Sequence, residues 1–229
     1  MGRLIEERSL RNKLHIFKDR AEAGRLLAKR LVGYTSSEAF VLAIPAGGVP
    51  VAYEVAKNLK LLMDIIIVRK IQIPGNTEAG FGAMGPDGEV IFNETLLRSL
   101  RLTKEEIEGQ IGKTKRMLEA RNKLYRKGKP FPDLKNKTVI LADDGLASGY
   151  TMSEAVRFIK RKNVKKIIAA VPTAPESSVN FLLPSVDELY CLNIRDFYPF
   201  AVADAYKKWH DLSDEEVLTL LKEADNLSI

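Results

Sequence analysis

The residues best suited to chemistry lie in one run, Val139-Ile140-Leu141-Ala142-Asp143-Asp144-Gly145-Leu146-Ala147-Ser148-Gly149-Tyr150-Thr151. Four apolar residues read as a buried strand that ends in two adjacent carboxylates, after which come a loop of small residues and the start of a helix. Backbone N–H groups of such a loop, running into a helix N-terminus, cradle a phosphate, and the Ser148 and Thr151 hydroxyls add donors. Adjacent carboxylates repel a phosphate but accept hydrogen bonds from two vicinal hydroxyls nearby. The run therefore suits a ribose that carries a 5-phosphate, with acids on the diol and amides on the phosphate. Asp143-Asp144 alone would equally fit a metal-binding acidic pair or a Walker B segment. Gly145 and Gly149, with Ser148 and Thr151 in register, are what those readings do not explain. A nucleoside triphosphatase would also need G-x-x-x-x-G-K-[ST]. The candidate Gly112-Lys113-Thr114 has Ile107 where the first glycine belongs and lies inside a helical pattern.

Six apolar segments are predicted as strands: 39–44, 62–68, 90–92, 138–142, 167–171 and 188–192. Near-continuous runs such as Ile65-Ile66-Ile67-Val68 suit strands covered on both faces. Helical spacing predicts helices over 19–31, 49–59, 104–125, 151–162 and 214–224, the last led by a Ser213 cap. Gly and Pro mark the breaks, at Pro45–Pro50, at Pro74-Gly75-Asn76, through Gly80–Gly88, and at Lys127–Pro132. Strands alternating with helices imply crossover units, so the expected fold is α/β, a parallel β-sheet flanked by helices. The expectation is one domain over residues 1–229, with 1–35 and 190–229 as hood or flanking segments. Ligands in open sheets of this class bind outside the carboxyl ends of the strands, where the 143–149 loop emerges.

At 229 residues, with 45% apolar and 29% charged side chains, the chain has the balance of a soluble globular protein. Its longest apolar run, 61–68, is too short to span a bilayer and contains Asp64, and the charged start, Met1–Arg11, does not read as a signal peptide. A cytoplasmic protein without membrane contact is expected. One cysteine, Cys191, and two histidines, His15 and His210, exclude an intramolecular disulfide and disfavour a zinc centre. Cys191 lies in an apolar strand and reads as core. The net charge of +6 is uneven, with +5 over residues 1–31 and +7 over 101–137, leaving −6 elsewhere. Basic patches attract phosphates, though a solvated helical face has the same composition.

Residues 139–151 resemble the phosphoribosyl-pyrophosphate (PRPP) binding motif of the type I phosphoribosyltransferases, and weaker similarity runs from Phe17 to Val217. The chain is most similar to a subgroup known only by its predicted activity, through Phe17-Lys18-Asp19-Arg20-Ala21-Glu22-Ala23-Gly24, Val68-Arg69-Lys70-Ile71 and Gly75-Asn76. The resemblance implies transfer of the phosphoribosyl group of PRPP to a nitrogen acceptor, a nucleobase or a small amine, with release of pyrophosphate. It implies Asp143 and Asp144 on the ribose, and Ala147, Ser148, Gly149, Tyr150 and Thr151 on the 5-phosphate. The pyrophosphate would meet Ala46, Gly47 and Gly48, after a non-proline cis peptide, together with Arg69 and Lys70. Ala46 departs from the family pattern, which commonly has Arg or Lys there. Arg69 and Lys70 would precede a closing loop with Glu78 as a candidate orienting residue, although two cations after a buried strand also fit a plain surface. The implied cofactor is Mg2+ carried by PRPP, with no direct protein ligand, bridged through water to Asp143 or Asp144. A homodimer is expected from the family.

The acceptor is the least determined part. Residues 195–209 hold Phe197, Tyr198, Phe200, Tyr206 and Trp209, five of the 17 aromatics, which could stack a base or pack as core. Asp196 and Asp204 could read amino groups on a base. A regulator on the same fold, binding nucleic acid and sensing PRPP or nucleotides, is the alternative. The basic segments and Ala46 fit it, but no helix-turn-helix or RNA-binding signature accompanies them.

Overall fold

The computed structural model describes residues 2–76 and 79–227. Its main sheet contains six strands, all paired in parallel: β1 (Arg3–Glu6), β2 (Phe40–Ala43), β3 (Leu62–Ile65), β7 (Thr138–Ala142), β8 (Lys166–Pro175) and β9 (Glu188–Arg195), in the spatial order β1-β9-β8-β7-β2-β3. The interior strands β2 and β9 are buried at every position, as their apolar runs require. A second sheet is antiparallel and consists of β4 (Arg69–Gln72), β5 (Gly80–Met84) and β6 (Val90–Phe92). The helices are α1 (Arg20–Arg30), α2 (Gly48–Leu59), α3 (Glu94–Leu100), α4 (Lys104–Arg126), α5 (Tyr150–Lys160), α6 (Glu176–Leu182) and α7 (Asp214–Asp225). One apolar cluster joins α1, α2, α4 and α7 to one face of the main sheet; another packs α5 and α6 on the opposite face.

Three differences from the sequence expectation follow from strand physics. The 90–92 segment is a strand, but it lies in the small antiparallel sheet. The 62–68 run breaks after Ile65, and Arg69 opens a new strand in that second sheet. β8 continues past Val171 through Pro172. Its pairing with β7 ends at Ala142–Ala170, so beyond that point a proline meets only one neighbour and its missing N–H costs nothing. Within the segments expected to flank the core, β1 forms the edge of the main sheet and residues 190–195 belong to β9, while a separate layer is formed by the internal β4–β6 sheet.

The order β7-β2-β3 places the switch point between β2 and β7, since the chain moves one way from β2 to β3 and the other way from β7 to β8 and β9. Crevices in doubly wound sheets open at such a point. Here Phe40–Ala43 pair with Val139–Ala142, and the Ile44 N–H donates to the Ala142 carbonyl at 2.9 Å. The Pro45–Gly48 turn and the Asp143–Gly149 loop therefore leave the sheet side by side.

Candidate active site

Two helices begin at this crevice, and neither has a side-chain cap. Gly47 precedes α2 and Gly149 precedes α5 with no capping hydrogen bond, whereas α1, α4 and α7 are capped by Asp19, Thr103 and Ser213. The first N–H groups of a helix lack intrahelical partners, and at α5 they face the crevice together with a positive dipole end. At α2 the Gly48 and Val49 N–H groups already donate to the Ile44 and Ala46 carbonyls at 3.0 and 3.1 Å and Pro50 has no N–H, so that terminus contributes its dipole end, and the Gly48 amide expected on the pyrophosphate is taken. Gly149 has φ +81°, a left-handed conformation that glycine adopts without a Cβ penalty. Beside α5 lies a cavity of about 410 Å³, lined by Lys70, Asp143, the 145–149 loop and Thr151. Of the predicted 5-phosphate residues, Ala147, Ser148, Gly149 and Thr151 line it, and Tyr150 lies between them in the chain. The Tyr150 ring turns away to pack on Phe181 at 5.0 Å, leaving its backbone as the part that could face an anion.

The opposite lip is the Pro45–Gly48 turn, in which the Pro45–Ala46 peptide is cis. Its glycines permit a close approach that no side chain could. A Cβ on Gly47 would lie 2.0 Å from Asp144 Oδ2, and one on Gly48 would lie 2.7 Å from the Ala142 carbonyl oxygen. Gly47 and Gly48 are therefore packed directly against the acid pair, with Ala46 beside them in the same turn.

Asp143 and Asp144 hold the centre. The Asp144 N–H donates to Asp143 Oδ1 at 2.8 Å, the Tyr206 hydroxyl donates to the Asp144 carbonyl at 2.6 Å, and Arg20 Nε donates to Asp144 Oδ2 at 2.8 Å. Burial raises the Asp143 carboxyl well above the usual range, and the Asp144 charge beside it adds to the rise. Asp144 is also raised by burial, against the opposing pull of Arg20. Strongly perturbed acids in a cleft are a mark of functional sites.

The two cations of β4 part company, because successive strand residues face opposite sides. Lys70 lines the cavity and packs where a Gly80 side chain would stand. Arg69 lies with Arg121 and Tyr125, and its guanidinium is lowered by burial and by the Arg121 charge. The structure thus brings Lys70, but not Arg69, into the cavity lining. Glu78 lies outside the described residues.

Elsewhere the expectations divide. Cys191 is buried, with its thiol pushed up to about 12 by burial, as a core residue should be. His210 is exposed and pairs with Glu216 at 2.9 Å. Tyr206 is core, packed on Phe17, while Tyr198 is 85% exposed. Asp204 pairs with the buried Arg195, and Asp196 accepts from Asn12, so both have structural partners. Sequence reasoning assigned no role to Arg20, although it stands inside the Phe17–Gly24 pattern. It also missed the buried Glu154 on α5, one turn beyond Tyr150, because a lone Glu in an amphipathic helix carries no signal of burial.

The sheet is parallel, and its switch point carries an acid pair and an uncapped helix N-terminus. The chain belongs to the phosphoribosyl transferase domain family, whose model matches residues 14–203. It is 34% identical over 211 residues to Rv0571c of Mycobacterium tuberculosis H37Rv, whose name assigns it provisionally to the phosphoribosyl transferases. The same match is found with MT0597 of strain CDC 1551. That similarity covers 92% of this chain but 47% of each relative, so the chain spans about half the length of the curated proteins it matches. Among solved structures, TT1426 from Thermus thermophilus is similar with a TM-score of 0.74 at 33% identity, covering 90% of this chain and 98% of that one. Among the described residues no helix is long and apolar enough to cross a membrane.

Proposed function

We propose that the protein transfers the 5-phosphoribosyl group of PRPP to a nitrogen nucleophile, by class a nucleobase, with release of pyrophosphate. The observation that carries this reading is the acid pair set beside the uncapped N-terminus of α5, with the positive dipole end of α2 on its other side. In the reaction the bond from the anomeric carbon to the pyrophosphate oxygen breaks and a bond from that carbon to nitrogen forms. The transition state has sugar-cation character, as in glycoside hydrolysis, so the protein's task is largely placement and charge stabilisation.

Asp143 and Asp144 accept from the ribose hydroxyls and hold the sugar. The amides and hydroxyls of residues 147–151 anchor the 5-phosphate. The amides at Ala46 and Gly47 and the Lys70 ammonium meet the pyrophosphate. Among the described residues no three His, Cys, Asp or Glu side chains cluster as a metal cage. Two raised carboxylates fit a magnesium ion that arrives chelated by PRPP, held through water by Asp143 or Asp144. When bound, the ion supplies neutralisation of the leaving pyrophosphate.

Calorimetric titration of magnesium–PRPP into the protein tests this reading. Binding is expected, weakened about tenfold in Asp143→Asn through loss of one charged hydrogen bond. No binding at millimolar ligand, with nucleic acid bound at defined salt instead, would favour the regulator. Ala46→Arg is expected to tighten PRPP about three- to fivefold, the worth of one partly exposed charge contact. An unchanged dissociation constant would show that the missing cation does not limit affinity.

A further inference from the structure

Arg20 is the first residue of α1, far from the acid pair in sequence, yet its side chain is 8% exposed and ends on Asp144. Three contacts fix it. Nε donates to Asp144 Oδ2 at 2.8 Å, Nη1 donates to the His210 carbonyl at 2.9 Å, and the guanidinium lies 3.8 Å from the centre of the Trp209 ring. Only a planar, permanently charged fork can make two divergent hydrogen bonds and stack at once; a lysine ammonium cannot. The backbone on both sides is tied down as well. The Phe17 N–H donates to Ala205 O at 3.0 Å, Lys207 N–H to Phe17 O at 2.8 Å, and Lys208 N–H to Lys18 O at 2.9 Å. This ladder clamps the 17–20 segment to the 205–210 segment and delivers Arg20 beneath Trp209. Phe17 and Tyr206 pack ring to ring at 5.7 Å across it, and the Tyr206 hydroxyl reaches the Asp144 carbonyl.

Asp144 is thus held from two sides. Its backbone is fixed by Tyr206, one carboxylate oxygen is fixed by Arg20, and the carboxyl also meets that of Asp143. We propose that Arg20 is a positioning residue for ribose recognition: it aligns the Asp144 carboxylate with the sugar diol, and the Trp209–His210 segment holds Arg20 in that alignment. This rests on the phosphoribosyl reading above and extends it to a chain of contacts running from the C-terminal segment to the sugar site. The Phe17–Arg20 pattern then has a physical purpose, since Phe17 anchors the clamp and Arg20 carries its effect to the acid.

The test is the ratio of affinities for ribose 5-phosphate and for its 2-deoxy and 3-deoxy analogues, measured by calorimetry on the full chain. All three sugars carry the same phosphate, so a general loss of order or of positive charge weakens them alike and leaves the ratio unchanged. Wild-type protein is expected to prefer ribose 5-phosphate over at least one deoxy analogue by about tenfold, the worth of a hydrogen bond to a charged acceptor. In Arg20→Met that preference should fall to within about twofold, and Arg20→Lys should restore part of it. Trp209→Leu keeps Arg20 and alters a partly exposed ring, so it guards against a folding defect; its preference should fall by about threefold. Wild-type discrimination that persists in both Arg20→Met and Trp209→Leu would refute the role of Arg20 and leave the phosphoribosyl reading standing. Wild-type protein that binds none of the three sugars, nor magnesium–PRPP, would refute both.

Discussion

Gly48→Ala should lower the free energy of unfolding by about 3 kcal/mol, the upper end of the cost of forcing one methyl into a packed site. The new Cβ would lie 2.7 Å from the Ala142 carbonyl oxygen and 2.9 Å from the Asp143 Cα, both backbone atoms of the strand end that carries the acid pair. Neither atom can yield cheaply. Ala142 is paired with Ala43 across β2 and β7, and its carbonyl also accepts from Ile44. Relief would have to come from tearing the ladder at the switch point, so PRPP binding should disappear with the stability. Gly47→Ala makes the instructive contrast. Its Cβ would meet the Asp144 carboxylate, a side chain that can rotate, and its φ of −58° suits alanine. Stability should fall less there, while Asp144 leaves Arg20 and sugar binding is lost. Urea unfolding of the two variants, paired with titration of magnesium–PRPP, separates these effects. Equal stability of Gly48→Ala and wild type would mean that the two loops stand further apart than the structure places them.

These glycines show what the sequence could and could not reveal. The turn at 45–50 was legible because Pro and Gly punctuate it, and the acid pair was legible because an apolar run ends there and a small-residue loop begins. That Gly47 is the floor on which Asp144 rests is a contact across 97 residues of chain, set by the pairing of β2 with β7, and spacing does not encode it. Arg20 is the same case across a longer separation. The pattern around it stands out, but its target depends on the clamp between 17–20 and 205–210. β5 went unread for a local reason: Gly80 and Gly82 interrupt its apolar alternation, and both are needed so that Lys70 and Ile91 can approach the backbone. β1 went unread because its edge position leaves it half exposed and weakly apolar. Arg69 and Lys70 look equivalent in sequence. Once that segment is a strand, period-two geometry must send one to α4 and the other to the cavity.

Glu154→Gln should raise stability by less than about 1 kcal/mol at pH 5 and by about 3 kcal/mol at pH 8. Glu154 sits on α5, one turn past the phosphate loop, with a side chain fully shielded from water and Oε1 lacking any hydrogen-bond partner. It faces Arg157 at 3.3 Å and Arg161 at 4.0 Å from its own helix, and Asp87 and Glu89 from the β5–β6 turn. Burial outweighs the two arginines, assisted by the two acids, and pushes the carboxyl up to about 7 from 4.5. The folded state therefore binds this proton more tightly than the unfolded chain does. Stability from the neutral form is complete below about pH 4.5, drains away as the pH rises towards 7, and is absent above that. Glutamine imitates the neutral acid at every pH, which is why the gain grows towards the alkaline side. Denaturant unfolding at pH 5, 6, 7 and 8 reads the slope directly. A variant less stable than wild type at pH 8 would show that the arginine pairs outweigh the cost of burial, reversing the sign. The consequence for function lies in where Glu154 sits: against Gly85 of the small sheet, and on the helix whose N-terminus is proposed to hold the 5-phosphate. A charge there loosens the contact between the layer that brings Lys70 to the cavity and the helix that forms its floor, so the same titration should report on both.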